Sequence, residues 1–178
     1  IRLSLVGSEM CIRDSAYFTQ VSGAIWWPMV YDLPMDAKQN FAKLKRDAQN
    51  KRAMYYIDKV DAPHVFPMAG PPMFLRDDLF DFNGVGRNGE SIFTDQKQFL
   101  AHMKELSPQY DGHLFVPGTV VTVDAGQVST EQTLYTEAEL SHIFDEKWDY
   151  LEEQRASRQQ EILDEEASRA EVLPAAEM

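Results

Sequence analysis

Hydrophobic residues follow two different spacings along this chain, and the change from one to the other predicts an α/β fold. Residues 16–21 are rich in aromatic and β-branched side chains, and residues 64–68 form a short apolar run, both of which are typical of buried strands. Between them, apolar residues recur at helical spacing from Asp36 to about Val60, which predicts an amphipathic helix capped by Asp36. A helix between two strands favours an α/β layer over a helical bundle.

The first helix has an apolar stripe that we expect to face the core and a basic face that we expect to be solvated. The apolar stripe consists of Ala37, Phe41, Leu44, Ala48 and Tyr55. The basic face consists of Lys43, Lys45 and Arg46. Pro63 ends the helix because proline cannot continue it.

Two apolar stretches could contribute to a site. The strand 64–68 runs into Gly70-Pro71-Pro72, where glycine permits an unusual φ and the prolines remove backbone donors. Such a corner suits a binding site, although an ordinary turn is the more frequent use of these residues. The earlier loop contains Trp26 and Trp27, which either line a pocket or pack into the core, and core packing is favoured.

The second half of the chain predicts a short helix, a hairpin and a long helix. Thr94 or Asp95 caps the short helix. Residues 113–123 read as two strand pieces joined at Pro117-Gly118, which predicts an edge hairpin. Thr136 opens a capping box that starts an acidic helix. The apolar residues expected to face the core are Phe99, Leu100 and Met103 in the short helix, and Leu140, Phe144, Trp148, Leu151 and Ile162 in the long one.

Charge and composition exclude several classes of function. The chain of 178 residues has a net charge of −12, which repels phosphate backbones and makes nucleic acid an unexpected partner. No apolar stretch approaches the length of a membrane span, so no membrane is expected. The single cysteine, Cys11, excludes an internal disulfide, and we expect a cytoplasmic protein.

The first fifteen residues resemble a translated sequencing adapter, and the resemblance rests on residues 5–14. We therefore predict three regions: an artefact at 1–15, a partial domain at 16–155 and a charged helical extension at 156–178, leading toward a missing C-terminal region. On this interpretation the natural part of the sequence is a fragment without cysteine.

Motifs of known chemistry are absent from the sequence. There is no P-loop and no Gly-x-Ser-x-Gly, and residues 76–90 fail the spacing of a calcium loop, which predicts a solvated irregular loop there. The histidines have no His-x-His or His-x-x-x-His pairing, and an isolated histidine is more often structural than a ligand. They are His64, His102, His113 and His142. The residues by themselves leave the function open.

A resemblance suggests more. Residues 20–31, 65–75 and 92–96 resemble the C-terminal half of a metallo-β-lactamase-fold protein, in the bacterial branch related to the UlaG-like lactonases and to CMP-sialic acid hydroxylase. The resemblance implies half of a four-layer αββα sandwich ending in the long acidic helix. It also implies that the family's His-x-His-x-Asp-His motif belongs to a missing N-terminal half of the same fold.

The function implied by this resemblance is that of a metal-dependent hydrolase acting on a small molecule. In the intact protein, zinc or another divalent metal would activate water against an ester or lactone bond. We expect no metal ligands in this fragment, and an inactive fragment. The residues that would line the cleft are Ser22, Gly23, Trp26, Trp27, Gly70 and Pro71.

One departure from the family pattern keeps two alternatives open. Hydrolytic members carry a ligating histidine where this chain has Ala69, and His64 lies about five residues too early to replace it. The alternatives are a non-catalytic ligand-binding module and part of a hydroxylase-like enzyme coupled to a Rieske iron–sulfur domain.

Overall fold

The computed structural model describes residues 15–23, 25–86, 91–124 and 126–172. These residues form two compact units. Of the described residues, the first unit contains those within 15–23, 47–70 and 94–133, and the second contains those within 25–46, 71–93 and 134–172. The adapter-like residues 1–14 and the final residues 173–178 lie outside the described part, so their interpretation stays a prediction.

A three-stranded parallel sheet is the framework of the first unit. Its strands are β1 (Ala16–Gln20), β2 (His64–Met68) and β3 (Asp111–Gly112), in the order β1-β2-β3. Helix α1 (Met35–Val60) connects β1 to β2, and helix α2 (Gln96–Leu106) lies between β2 and β3. The predicted alternation of strand and helix is therefore confirmed, and parallel pairing follows because each connection crosses over through a helix.

Alternate residues of the strands supply two different sheet faces. On one face Val65 and Tyr17 pack with side chains from both helices around a buried cluster that includes Ile57 and Phe99. On the other face the ring of Phe18 stacks on that of Phe66, with centroids 4.6 Å apart.

Helix α2 is confirmed with its predicted cap. The Asp95 carboxylate accepts a hydrogen bond from the backbone N–H of Gln98 at 2.8 Å. Phe99 and Met103 are buried, as the apolar spacing predicts.

The predicted core stripe of α1 is wrong. Leu44 and Tyr55 are 56% and 57% exposed. The buried side chains of the helix are instead Ala42, Ala53, Met54 and Ile57. The helix carries apolar residues around its whole circumference, so helical spacing alone does not select the face that packs.

The basic face of α1 is not simply solvated. The Arg46 guanidinium donates to the Ser91 carbonyl oxygen at 2.5 Å. The Lys45 ammonium donates to the Ile25 carbonyl oxygen and lies 4.4 Å from the centroid of the Phe93 ring. Burial lowers the pKa of Lys45 to about 8.

In the second unit, a buried asparagine organises the segment predicted to be a solvated loop. A 3-10 turn forms at Phe80–Asn83, and Phe80, Asn83 and Val85 are buried. The Asn83 side chain accepts from the Phe74 N–H and donates to the carbonyl oxygens of Phe74 and Phe80, at 2.7–2.9 Å. Within residues 76–86, the prediction of a solvated loop is wrong at these three buried positions, because no periodic pattern in the sequence marks them as core. Residues 87–90 of the predicted loop lie outside the described part.

The predicted hairpin exists with different strands. β4 (Thr119–Asp124) pairs antiparallel with β5 (Gln127–Gln132). The chain therefore turns around Gly126, whose φ of 83° suits glycine, and not at Pro117-Gly118. Residues 113–116 form no strand.

The predicted long helix is three helices, α3 (Glu137–Asp145), α4 (Lys147–Ser157) and α5 (Gln159–Val172). The capping box at Thr136 and Glu139 is confirmed. Within the part of this region whose side chains are described, Leu151 is the one buried residue. The four-layer sandwich stays a prediction, and none of the described helices is long and apolar enough to cross a membrane.

Candidate functional site

Three of the predicted cleft residues, Ser22, Gly23 and Gly70, lie in the first unit and contact neighbouring segments of that unit. The Ser22 hydroxyl donates to the carbonyl oxygen of Ala69, which links the ends of β1 and β2. The Gly23 N–H donates to the Gln49 side-chain oxygen at 2.5 Å. A Cβ added at Gly70 would lie 2.3 Å from the Gln96 side-chain oxygen, so a larger residue here would have to displace the Gln96 amide.

The corner after β2 differs from the sequence prediction in one respect. Within it, the residue with a left-handed backbone is Ala69, with a φ of 57°, and not Gly70. Alanine in this region is strained because its Cβ approaches the following carbonyl oxygen. The corner is a place of backbone strain as well as a turn.

The tryptophans of the predicted cleft lie in the second unit, as does Pro71. Trp26 makes edge contacts with the rings of Phe74 and Phe93, with centroids 5.3 and 5.4 Å away. Trp27 makes an edge contact with Tyr31 and a tilted contact with Phe41, with centroids 4.7 and 5.1 Å away. The favoured prediction of core packing is wrong for Trp26, which is 37% exposed, and Trp27 is half-buried. The assignment of all six residues to one cleft stays a prediction.

The structure instead brings three other polar side chains together in the first unit: His64, Asp111 and His113. The Nδ1 of His64 lies 2.9 Å from the Nε2 of His113. Each of these nitrogens lies 3.3 Å from the Asp111 carboxylate. This triad is the one group of potential metal ligands among the described residues.

The strand register explains why these side chains meet. His64 opens β2 and is the register partner of Asp111 in β3. The His113 N–H donates to the Val65 carbonyl oxygen at 2.9 Å, which continues the parallel ladder by one residue. Since residues two apart in an extended chain point to the same face, Asp111 and His113 both face His64.

The surroundings of His113 fix its ring. The ring stacks on Phe66 with centroids 4.7 Å apart and planes 13° apart. The side chains of His64 and His113 are 20% and 17% exposed, whereas Asp111 is 65% exposed. Burial lowers the pKa of His113, the charge of Asp111 opposes this shift and His64 reinforces it. Burial therefore disfavours the charged form of His113.

A concave surface lies on the α2 side of β3. A cavity of about 440 Å³ is lined by Tyr110, Asp111 and Gly112 together with Leu100 and Met103 of α2. A Cβ added at Gly112 would contact Leu100 and Met103, so this cavity lies on the opposite side of the sheet from the histidine rings, which share the face of Phe66.

Sequence reasoning missed this site because the two histidines are 49 residues apart. Only the strand register places them together, and β3 is two residues long. The sequence did contain one indication, the spacing Asp111-x-His113. In an extended segment, residues two apart point to the same side of the sheet.

The chain is similar to three mycobacterial proteins. It is 43% identical over 119 residues to proteins from two strains of Mycobacterium tuberculosis, which is 67% of this chain and 23% of theirs. It is 43% identical over 103 residues to one from Mycolicibacterium smegmatis, which is 58% of this chain and 20% of the relative. All three are named as Rieske 2Fe-2S iron–sulfur proteins.

The chain thus spans about a quarter of the length of the curated relatives that it matches. No family model matches it, and no solved structure matches it.

The Rieske relatives overturn the main functional expectation. Identification as a metallo-β-lactamase-type hydrolase is wrong, since the relatives at 43% identity carry a different name. Zinc or another divalent metal as the cofactor of such a hydrolase is wrong for the same reason. The alternative that included a Rieske iron–sulfur domain agrees better with these names.

The residues of this chain do not fit a Rieske cluster. Such a cluster is held by two cysteines on one iron and two histidines on the other. The chain has one cysteine, Cys11, which lies outside the described residues and within the adapter-like segment. His64 and His113 are close enough to share an ion, but the thiolate pair that the second iron requires does not exist in these 178 residues.

Proposed function

We propose that this chain is a segment of a Rieske-type iron–sulfur protein, and that the segment itself does not ligate the cluster. The identity of 43% over 119 residues to proteins named as Rieske 2Fe-2S proteins supports the first part. The presence of a single cysteine supports the second part.

A Rieske centre is a one-electron carrier. Histidine ligation raises its reduction potential to about −150 to +300 mV, compared with about −400 mV for plant-type ferredoxins, whose ligands are cysteines. The protein to which this chain belongs therefore takes part in electron transfer. This segment contributes a folded α/β unit, and a cytoplasmic location and a small-molecule substrate stay predictions.

The test begins with the reading frame on both sides of this chain in the source DNA. The protein encoded by that frame, purified without oxygen, is expected to contain two iron and two acid-labile sulfide per chain. Its electron paramagnetic resonance spectrum is expected to show a histidine-ligated cluster, with a potential in the range of about −150 to +300 mV.

The 178-residue chain and its C11S variant serve as the matched controls. Both are incubated with ferrous iron, sulfide and thiol, and both are expected to assemble no cluster. A longer protein without sulfide would contradict the first part of the proposal. Stoichiometric sulfide in the C11S chain would contradict the second.

A further inference from the structure

We propose that His64, Asp111 and His113 form a mononuclear binding site for ferrous iron. This site is independent of any iron–sulfur cluster because it takes up no sulfide. It also differs from the hydrolytic zinc centre that the relatives contradict, since it uses other residues and another ion.

The distances fit an ion held by three ligand atoms. A ligand atom of this kind lies about 2.1 Å from a first-row divalent ion. Adjacent corners of an octahedron are then about 3.0 Å apart, and those of a tetrahedron about 3.4 Å apart. The separation of the two imidazole nitrogens is 2.9 Å, which agrees with the octahedral arrangement. The two distances to the carboxylate, 3.3 Å each, lie between the octahedral and the tetrahedral values, so the triad can close on an ion of either geometry with small movements.

The ligand types of the triad favour some divalent ions over others. Two imidazoles favour iron over magnesium, calcium or manganese, which prefer oxygen ligands. Two histidines and one carboxylate on one face of an octahedron are the arrangement that suits non-haem Fe(II) with open positions. Among the described residues no fourth ligand completes a closed structural zinc site. Catalytic zinc also uses two histidines and one carboxylate with an open position, so the binding test below compares the two ions.

The framework around the triad is preorganised. The backbone of Asp111 is fixed by its N–H bond to the Pro63 carbonyl oxygen at 2.8 Å, and that of His113 by its bond to Val65. Stacking on Phe66 fixes the ring of His113. The Asp111 side chain is 65% exposed, which leaves room for water or a small co-ligand beside the ion.

The test measures binding of ferrous ammonium sulfate to the C11S chain without oxygen, by equilibrium dialysis and by calorimetry. We expect one Fe(II) per chain with micromolar affinity. The variant D111N is expected to weaken binding at least about 100-fold, since loss of a direct ligand exceeds the 10–100-fold effect of losing a supporting contact. Asp111 is mostly exposed, so this variant is expected to keep the fold, as checked by circular dichroism.

The double variant H64Q/H113Q is expected to abolish binding. His102 lies on α2 outside the triad, so H102Q is the matched control and is expected to bind like its parent. Absence of Fe(II) binding in the C11S chain would overturn the proposal, as would unchanged binding in H64Q/H113Q. Binding of Zn(II) without binding of Fe(II) would overturn the choice of ion.

Discussion

At the scale of single residues, backbone strain and buried polar groups set the local stability of this chain. Ala69 adopts a left-handed backbone at the end of β2, with a φ of 57°. Its carbonyl oxygen receives the Ser22 hydroxyl. The corner thus combines a strained residue with a contact that holds two strand ends together.

Replacing Ala69 by glycine is expected to stabilise the chain. Removal of the left-handed strain at this position raises the free energy of unfolding by about 1–2 kcal/mol. The greater conformational freedom of glycine in the unfolded chain offsets about half of this gain. The midpoint of urea unfolding, followed by circular dichroism, should rise. A101G on the exposed side of α2 is the matched control and should lose about 0.5–1 kcal/mol. A midpoint for A69G at or below that of the parent would show that the position is not strained.

Asn83 is the second residue with a large expected effect. Its side chain is 2% exposed and makes three hydrogen bonds to the backbone of Phe74 and Phe80. N83A leaves those backbone groups without their partner, which costs about 2–4 kcal/mol in the free energy of unfolding. N40A, on an exposed position of α1, is expected to change it by less than about 0.5 kcal/mol. Equal effects of the two substitutions would contradict the role assigned to Asn83.

At the scale of helices and strands, a histidine connects two of the acidic helices. His142 of α3 contacts Glu146 at 2.7 Å and Glu153 of α4 at 3.0 Å, and its ring also meets the edge of Tyr150. The hydrogen bond to Glu146, followed by that to Glu153, raises the pKa of His142 above its ordinary value of 6.5. The protonated imidazole therefore stabilises the pairing of α3 with α4.

The sign of the pH effect follows from the raised pKa. The stabilisation is fully present below pH 6.5 and is lost as the pH rises through the higher pKa of the folded chain. Melting temperature is expected to fall between pH 6 and pH 8 in the parent by more than in H142Q. H102Q should keep the dependence of the parent, and an identical dependence in H142Q would refute the contribution of His142.

Elements with local chemical signals could be predicted from sequence, whereas the triad could not. The caps at Asp95 and Thr136 and the strand 64–68 were correct because each depends on neighbouring residues. The buried face of α1 was missed because apolar residues surround the whole helix, so tertiary packing and not their spacing determines which of them are buried. The triad depends on the register of β2 with β3, which no local pattern specifies.

At the scale of the whole molecule, net charge opposes compaction. The chain has a charge of −12, and the acidic helices α3 to α5 carry much of it. Repulsion among like charges weakens the folded state and is reduced by salt. Raising salt from about 0.01 to about 0.15 M shortens the screening length from about 30 to about 8 Å.

Melting temperature is therefore expected to rise with salt over this range. A gain of about 1 kcal/mol corresponds to roughly 2–4 °C for a chain of this size. The variant E161Q/E165Q removes two exposed charges from α5, so its melting temperature should rise less with salt than that of the parent. The variant Q159E/Q160E adds two charges to the same helix, so its melting temperature should rise more. A fall of melting temperature with salt would indicate that attractive ion pairs dominate instead.

The hairpin of β4 and β5 has a consequence for the kinetics of backbone opening. No described side chain of either strand is buried, and Val120 and Val123 are about half exposed. Two strands without a packed face separate at little cost in free energy. Deuterium should therefore replace the amide hydrogens of this hairpin long before those of β2, and at a rate that low concentrations of denaturant leave unchanged.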